Sequence, residues 1–306
     1  VVVCELSGAH GVGLGESVPY SRYGESVEGV VERLELAATE LASGSIEDAL
    51  RVAGGGAARN ALDCAWWDLR ARESGTPAWA MAGLARAPEP VSTMQTVSVD
   101  APEAMHDAAA ALSHAAVIKV KVDGHDDLAR IEAVHAAAPD AELVVDANES
   151  WTGAQTRAWL PELARLGVAV LEQPLPADAD AALEDMPHPV PICADESFHT
   201  SASFDRIHRR YEMVNVKLDK TGGLTEALAC MTRARERHVQ TMVGCMVSTS
   251  LAIEPALLLA GGADYVDLDG PLLLDDDRDG ARHDRGSGTL RPSPDVWGGP
   301  SPRGLP

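Results

Sequence analysis

Residues 116–122 read AVIKVKV and residues 141–148 read AELVVDAN, two apolar runs that each finish in charged or amide side chains. Four later runs behave alike: VAVLEQP (168–174), VPICADES (190–197), MVNVKLDK (213–220) and DYVDLDG (264–270). Buried strands that hand over to Lys, Asp, Glu or Asn where they finish are the pattern of a parallel α/β barrel, whose functional groups gather at the carboxyl ends of the strands. From Lys121 through Asp146, Glu172 and Asp195 to Lys217 the charged ends are 25, 26, 23 and 22 residues apart, about one βα unit each.

From Val91 onward, strand-sized apolar runs alternate with alanine-rich helical stretches. Strands are expected near 94–99, 116–122, 142–147, 168–172, 190–195, 213–218, 240–245 and 264–268. Eight strands close a barrel, so the α/β fold expected over 91–284 is a modified TIM-type (β/α) barrel. The first ninety residues follow another rhythm: 1–6 and 13–17 read as a hairpin, and 26–42 and 57–73 carry helical apolar spacing. They predict an α+β capping domain over 1–90. Gly11-Val-Gly13-Leu-Gly15 lacks the strand-then-helix setting and the glycine spacing of a nucleotide loop, and is read as a hairpin turn. After Leu274 the chain turns to Asp, Gly, Arg and Pro without a period, and 285–306 is expected to join the cap. The sequence opens at Val1 directly in strand-like VVVCEL, so an upstream segment is expected.

With 306 residues the chain can bury a full barrel core beside a smaller unit. Its net charge of −22 argues against a nucleic-acid partner, which needs clustered Lys and Arg, and reads as a well-solvated surface. Five cysteines without a CxxC pair suggest neither zinc ribbon nor disulfide framework, which suits a reducing cytoplasm. No apolar run of spanning length points to a membrane.

Side chains alternate along a strand, so Lys119 and Lys121 share a face. Either they lie on a solvent-facing edge, or they crowd each other, in which case the neutral form of one is favoured and it can act as a base. Lys121, nearer the strand end, is the expected base, and Lys119 its tuning neighbour. Asp146, Glu172 and Asp195 come from three successive strand ends. Singly each reads as a helix cap or a salt-bridge partner, but three converging carboxylates call for a hard cation such as Mg²⁺. Asn148 and Glu196 are expected to orient those ligands. Lys217 ends the sixth strand, opposite the second, and serves as a second base unless it pairs with Asp219 or another acid as a structural ion pair. Two lysines flanking a Mg²⁺ suit removal of a proton beside a carboxylate, an enediolate, and return of a proton on the opposite face. Asp267 and Asp269 also share a face; they either neutralise a lysine or hold a substrate cation.

These motifs, together with GLGESVPYSRYGES, ARNALDCAWWDLRAR, DANESW, VNVKLDKTGGLTEAL and VGCMVSTSLA, resemble the enolase superfamily over nearly the whole chain. The K-x-K lysines are similar to those of its muconate-lactonizing branch, and within it the chain looks most like the dipeptide epimerases of the L-Ala-D/L-Glu type. The resemblance implies Mg²⁺ on Asp146, Glu172 and Asp195, Lys121 and Lys217 as the acid/base pair, and Asp267 with Asp269 on the free ammonium of a dipeptide. It also implies an earlier strand and a mobile loop in the cap, before the point where this sequence starts. The loop near Tyr20 to Tyr23 and the stretch Val247-Ser-Thr249 receive no role. Within the branch the alternatives are o-succinylbenzoate synthase and N-acylamino acid racemase, whose substrates lack the ammonium, with muconate cycloisomerase behind them. A non-catalytic binding barrel is the alternative from another class. A homo-oligomer is left open.

Overall fold

The computed structural model describes residues 1–300; the last six residues of the 285–306 tail lie outside the described residues. Strands β1 (Val2–Ser7) and β2 (Val12–Ser17) form an antiparallel hairpin, followed by helices α1 (Val27–Ser43), α2 (Ile46–Ala53), α3 (Gly56–Ser74) and the short α4 (Ala78–Met81). Ser26 caps α1 and Ser45 caps α2, each accepting a hydrogen bond from a backbone N–H in the first turn. Helix α2 went unread although Ile46, Ala49, Leu50 and Ala53 keep helical spacing, because eight residues give that period only two turns in which to show. Among the described side chains of α1 only Val30 and Ala37 are buried, whereas Val27, Val31 and Leu36 are exposed.

The Gly-Val-Gly-Leu-Gly stretch is part of the hairpin, but its glycines serve packing more than turning. The turn closes earlier, with Gly8 N–H donating to Gly11 O at 2.9 Å. Gly13 and Gly15 lie within β2 against α3, where a Cβ on Gly15 would stand 2.1 Å from Ala61 O and one on Gly13 2.2 Å from Ala65 O. The backbones touch because no side chain intervenes.

A two-residue strand β3 (Val91–Ser92) leads into the barrel, whose strands are β4 (Gln95–Val97), β5 (Val117–Lys121), β6 (Glu142–Asp146), β7 (Val170–Glu172), β8 (Ile192–Ala194), β9 (Met213–Lys217), β10 (Gln240–Gly244) and β11 (Tyr265–Asp267). All paired neighbours are parallel and follow chain order, so the eight expected strands are present and β5 stands across from β9. The seam between β11 and β4 is closed partly by side chains. Met94 N–H donates to Val266 O at 2.9 Å, Leu268 N–H to Thr93 Oγ1 at 2.7 Å, and Thr96 N–H to Asp269 Oδ2 at 3.1 Å.

Helices α5 (Pro102–Ala111), α6 (Asp127–Ala137), α7 (Gly153–Arg165), α8 (Phe204–Ile207), α9 (Leu218–Thr221), α10 (Leu224–Arg237) and α11 (Ser250–Ala260) complete the βα units. Thr152 and Gln155 form a capping box that starts α7. The regular alternation fails after β7, where a 3-10 helix (Asp180–Asp185) replaces the expected α-helix. Its six residues, Asp-Ala-Ala-Leu-Glu-Asp, are flanked by Pro174 and Pro176 before and by Pro187 and Pro189 after, which leaves no room for a longer helix.

Period two sorts the barrel side chains. Val120, Leu143, Val145, Leu171, Ile192, Val214, Val216 and Val243 belong to the apolar cluster shared with the helices, and Met94, Val144, Val170, Cys193, Met213 and Met242 form a separate inner cluster. Two residues farther along the inward face the strands carry Thr96, Asp146, Glu172, Asp195, Asn215, Gly244 and Asp267, so the interior changes from oily to charged toward the carboxyl ends.

After a 3-10 turn (Gly270–Leu273), strand β12 (Thr289–Leu290) pairs antiparallel with β3, and the tail reaches α3. Trp297 Nε1 donates to Cys64 O at 3.0 Å and Gly298 N–H to Asp68 Oδ1 at 2.7 Å. Glu254 of α11 fixes the tail by accepting from Ser293 N–H at 2.9 Å, while its Oε1 is buried without a partner. All five cysteines are free, and among the described residues no helix is long and apolar enough to cross a membrane.

Burial raises Glu254 to about 7 despite the Ser293 bonds. An acid raised in the folded state binds its proton more tightly folded than unfolded, so its contribution to stability falls as pH rises from its unfolded value toward its folded one. The stability of wild type relative to Glu254→Gln should therefore drop by on the order of 3 kcal/mol between about pH 4.5 and pH 8. Urea titrations across that range check this, and parallel profiles for the two proteins would refute it.

Candidate active site

Lys119 is only 2% exposed, which removes the solvent-facing edge as an account of the K-x-K pair. Its Nζ lies 2.6 Å from Asp267 Oδ2, 2.8 Å from Glu172 Oε2 and 3.0 Å from Asp146 Oδ2. Burial alone would favour the neutral amine, but Asp146, Asp267 and Glu172 outweigh it and hold Lys119 protonated well above the usual lysine range. Lys121 Nζ contacts the same Asp146 oxygen at 2.7 Å and donates to Asn148 Oδ1 at 2.8 Å. The two lysines thus communicate through one shared carboxylate oxygen, with Lys119 directed at the barrel centre and Lys121 partly exposed.

Across the barrel, Lys217 Nζ donates to Asp195 Oδ2 at 2.7 Å. Asp195 outweighs burial and keeps Lys217 protonated well above its usual range. The ion pair expected as the alternative is therefore present, but with Asp195 and not with Asp219. Helix α9 begins right after Lys217 and turns Asp219 away, so that its Oδ1 accepts from Val18 N–H at 3.0 Å and Asn60 Nδ2 at 2.8 Å. The same helical turn brings Lys220 back beneath the site, donating to Asp195 O at 2.6 Å, to Asn215 O at 3.0 Å and to Asp195 Oδ1.

Burial disfavours the charged forms of Asp146 and Asp195, yet the flanking ammoniums of Lys119 and Lys121, and of Lys217 and Lys220, hold both carboxyls well below the usual range. Glu172 is raised instead, because burial and the neighbouring Asp146 charge exceed what Lys119 returns. Its Oε1 accepts from Asn215 Nδ2 at 2.8 Å. Strand β10 ends in a glycine for this reason: a Cβ on Gly244 would lie 2.4 Å from Asn215 Oδ1. Asn148, with φ 42°, is within 3.4 Å of Glu196 Oε1, and burial with the Asp195 and Asp146 charges raises Glu196 to about 7.

These groups line one cavity of about 600 Å³ at the carboxyl end of the barrel, containing Lys119, Lys121, Asn148, Asp195, Glu196, Lys217, Asp267 and Asp269. Tyr20, Tyr23, Met246, Val247 and Leu273 form its apolar wall, which gives the Tyr20–Tyr23 loop and Val247 a location that sequence spacing could not. Thr249 faces elsewhere, donating from N–H and Oγ1 to Glu16. Asp269 is raised by burial and by Asp267.

Lys220 and Asn215 were not singled out from sequence. Asn215 was legible, since it alternates with Lys217 on the inward face; Lys220 became legible only with the helix that starts after Lys217.

Among the described residues, no three His, Cys, Asp or Glu stand in ready metal-holding geometry, and lysine ammoniums lie against the oxygens of Asp146, Glu172 and Asp195. The donor set nevertheless fits Mg²⁺. It consists of oxygens from three successive strands, and two of the buried oxygens here, Glu172 Oε2 and Glu196 Oε2, make no aligned hydrogen bond.

Residues 100–287 match the family described as Enolase C-terminal domain-like. The chain is 49% identical over 277 residues to the L-Ala-D/L-Glu epimerase of Escherichia coli (strain K12), covering 90% of this chain and 86% of that protein. It is 40% identical over 281 residues to the N-acetyl-D-glutamate racemase of Pseudoalteromonas sp, covering 91% and 89%. Among solved structures, an enolase family member from Agrobacterium tumefaciens with homology to dipeptide epimerases, holding sodium and L-Ala-L-Glu with an ordered loop, matches with a TM-score of 0.92 at 44% identity over 97% of this chain and 91% of that one. A dipeptide epimerase from Cytophaga hutchinsonii complexed with Mg and D-Ala-L-Val matches with a TM-score of 0.85 at 26% identity, covering 95% and 85%.

Lys119→Met keeps the length of the side chain and removes its charge, leaving Asp146, Glu172 and Asp267 without their shared cation. In EDTA at neutral pH this should cost on the order of 3–5 kcal/mol in urea unfolding. A variant within about 1 kcal/mol of wild type would show that the carboxylates do not depend on Lys119.

Proposed function

The chain belongs to the enolase superfamily, and on that premise we propose that it is an isomerase inverting the α-carbon of the C-terminal residue of a dipeptide, L-Ala-D/L-Glu or one with a different second residue. The observation that carries this reading is the facing of Lys121 on β5 and Lys217 on β9 across one charged cavity, with Asp267 and Asp269 beside it. Residues 1–90 with 285–306 serve as the cap in this proposal, and the apolar wall around Tyr20 and Tyr23 excludes water from the reacting carbon.

In this mechanism the dipeptide lies with its reacting carbon between the two lysines. One lysine, as the free amine, takes the α-proton, and the other, as the ammonium, returns a proton to the opposite face; the two exchange roles in the reverse direction, where Lys217 could act as the amine only if a cation on Asp195 relieved the ion pair that holds its proton. Asp146, Glu172 and Asp195 would hold a Mg²⁺, and when bound it would supply positive charge beside the substrate carboxylate and so make the neighbouring carbon more acidic. Asn148 and Glu196 orient that end of the site, and Lys119 balances the charge of Asp146, Glu172 and Asp267. Asp267 and Asp269 receive the free α-ammonium at the far end of the substrate.

A second reading is favoured by a specific observation, since one relative is a racemase of an N-acetylated amino acid, which has no such ammonium. The salt link from Asp267 to Lys119 is compatible with either, because it satisfies one carboxylate before any substrate arrives. The balance tips toward the dipeptide because Asp269 is buried at the cavity wall and, among the described residues, is met by hydrogen bonds from Thr96 and by no ammonium in direct contact. An acyl group facing it would leave a desolvated carboxylate unpaired.

Metal removal is the first test. Treatment with EDTA should abolish turnover of L-Ala-L-Glu and Mg²⁺ should restore it; full activity of the metal-free protein would refute the assignment of Asp146, Glu172 and Asp195.

In D₂O each epimer should gain deuterium at the α-carbon as it forms. Lys121→Ala should leave exchange on at most one face and Lys217→Ala on at most the other, read by NMR of each epimer. Epimerisation surviving in either variant would eliminate the two-lysine scheme.

For substrate class, kcat/KM for L-Ala-L-Glu should exceed that for N-acetyl-glutamate by at least about a hundredfold, the size expected when a buried charged site meets an uncharged group. Equal values would transfer the protein to the N-acylamino acid reading.

A further inference from the structure

Strand β7 ends at Glu172, and the place where an α-helix should brace it is occupied by a buried polar network centred on the next residue. Gln173 is fully buried and held at φ 34°, a left-handed conformation seldom adopted by residues other than glycine. Its backbone N–H donates to Cys193 O at 2.9 Å and its carbonyl accepts from Glu149 N–H at 2.8 Å. The side chain is used at both ends. Oε1 accepts from the backbone N–H groups of Asp195 at 2.9 Å and Ser197 at 3.1 Å. Nε2 is shared among Leu175 O at 2.8 Å, Ser197 Oγ at 2.9 Å and Tyr211 OH at 3.0 Å. Ser197 Oγ and Tyr211 OH both donate to Asp180 Oδ2, at 2.6 and 2.9 Å, and Arg210 Nη1 holds Asp180 Oδ1 at 2.8 Å. Asp180 comes from the 3-10 helix that replaces the missing α-helix.

A buried polar network costs more than an apolar core unless every member is satisfied, so its presence calls for something apolar packing could not provide. What it provides is direction. Gln173 holds the Asp195 peptide from one side while the Asp195 carboxylate reaches Lys217 and Lys220 on the other, and Gln173 itself adjoins Glu172. Through Glu149 it also reaches the end of β6, which carries Asp146. One amide side chain and its own peptide therefore link all three strand ends that present carboxylates.

We propose that Gln173, braced by Ser197, Tyr211 and Asp180, is a positioning residue that sets the relative placement of Asp146, Glu172 and Asp195 for a divalent cation. It touches neither cation nor substrate, and it rests on the metal assignment made above. The test is isothermal titration of Mg²⁺ into wild type, Gln173→Met and Tyr211→Phe, with circular dichroism as the check on folding. Mg²⁺ affinity should fall at least about tenfold in Gln173→Met and by a smaller factor in Tyr211→Phe, the scale on which supports of metal ligands act. The kcat of the variants toward L-Ala-L-Glu should recover at saturating Mg²⁺ while the concentration needed for activation rises, a split that general loss of structure would not produce. If Gln173→Met does not fold, Tyr211→Phe decides. A wild type that binds no Mg²⁺ removes the metal assignment and this inference with it. A wild type that binds while the folded variants match it within twofold removes the inference alone.

Discussion

The ammonium of Lys119, enclosed by Asp146, Glu172 and Asp267, is the interaction on which the barrel's charged end depends. Carboxylates from three strands could not share that interior unpaired, since the desolvation of each is large and their mutual repulsion is poorly screened there. Placing a cation among them at 2.6 to 3.0 Å converts three costs into one compensated cluster. Lys217 and Lys220 do the same for Asp195. The interleaving of sign around the strand ends explains how so acidic a chain can carry a charged pocket inside a compact barrel.

Around that cluster the other constraints are geometric. Gly15 lets the hairpin touch α3, and Gly244 leaves room for the Asn215 amide that holds Glu172. The amino-terminal elements then reach the barrel through polar links: Glu16 to Thr249 and Arg278, Asp63 to Thr225, and Arg22 to Glu149. Each of these involves a buried carboxylate, so the wall formed by Tyr20 and Tyr23 is registered against the charged strand ends.

The strands and the inward charged residues were legible because two physical periods coincide in this sequence: side chains alternate along each strand, and the βα unit repeats. Eight strands in chain order and one cavity lined by Lys121, Lys217, Asp195, Asp267 and Asp269 followed from those periods. What was not legible depends on turns made after the strands end. Lys220 joins the site, and Asp219 leaves it, only because a helix starts at Leu218. The network around Gln173 depends on a left-handed residue and on partners 7, 24 and 38 positions away, distances over which sequence carries no period.

The seam where the last strand meets the first gives one residue two allegiances. Asp269 receives the Thr96 N–H, so its carboxylate substitutes for a backbone acceptor in closing the ring, and the same group stands at the wall where a substrate's terminus is proposed to sit. A lineage of such proteins drifting toward ligands without an ammonium could not simply exchange this acid for an apolar residue, because the hoop would lose a stitch. Diversification of ligand preference should therefore move first through Val247 and Leu273, side chains that line the same cavity and are over half exposed, and reach position 269 only after some other group has taken over its mechanical task.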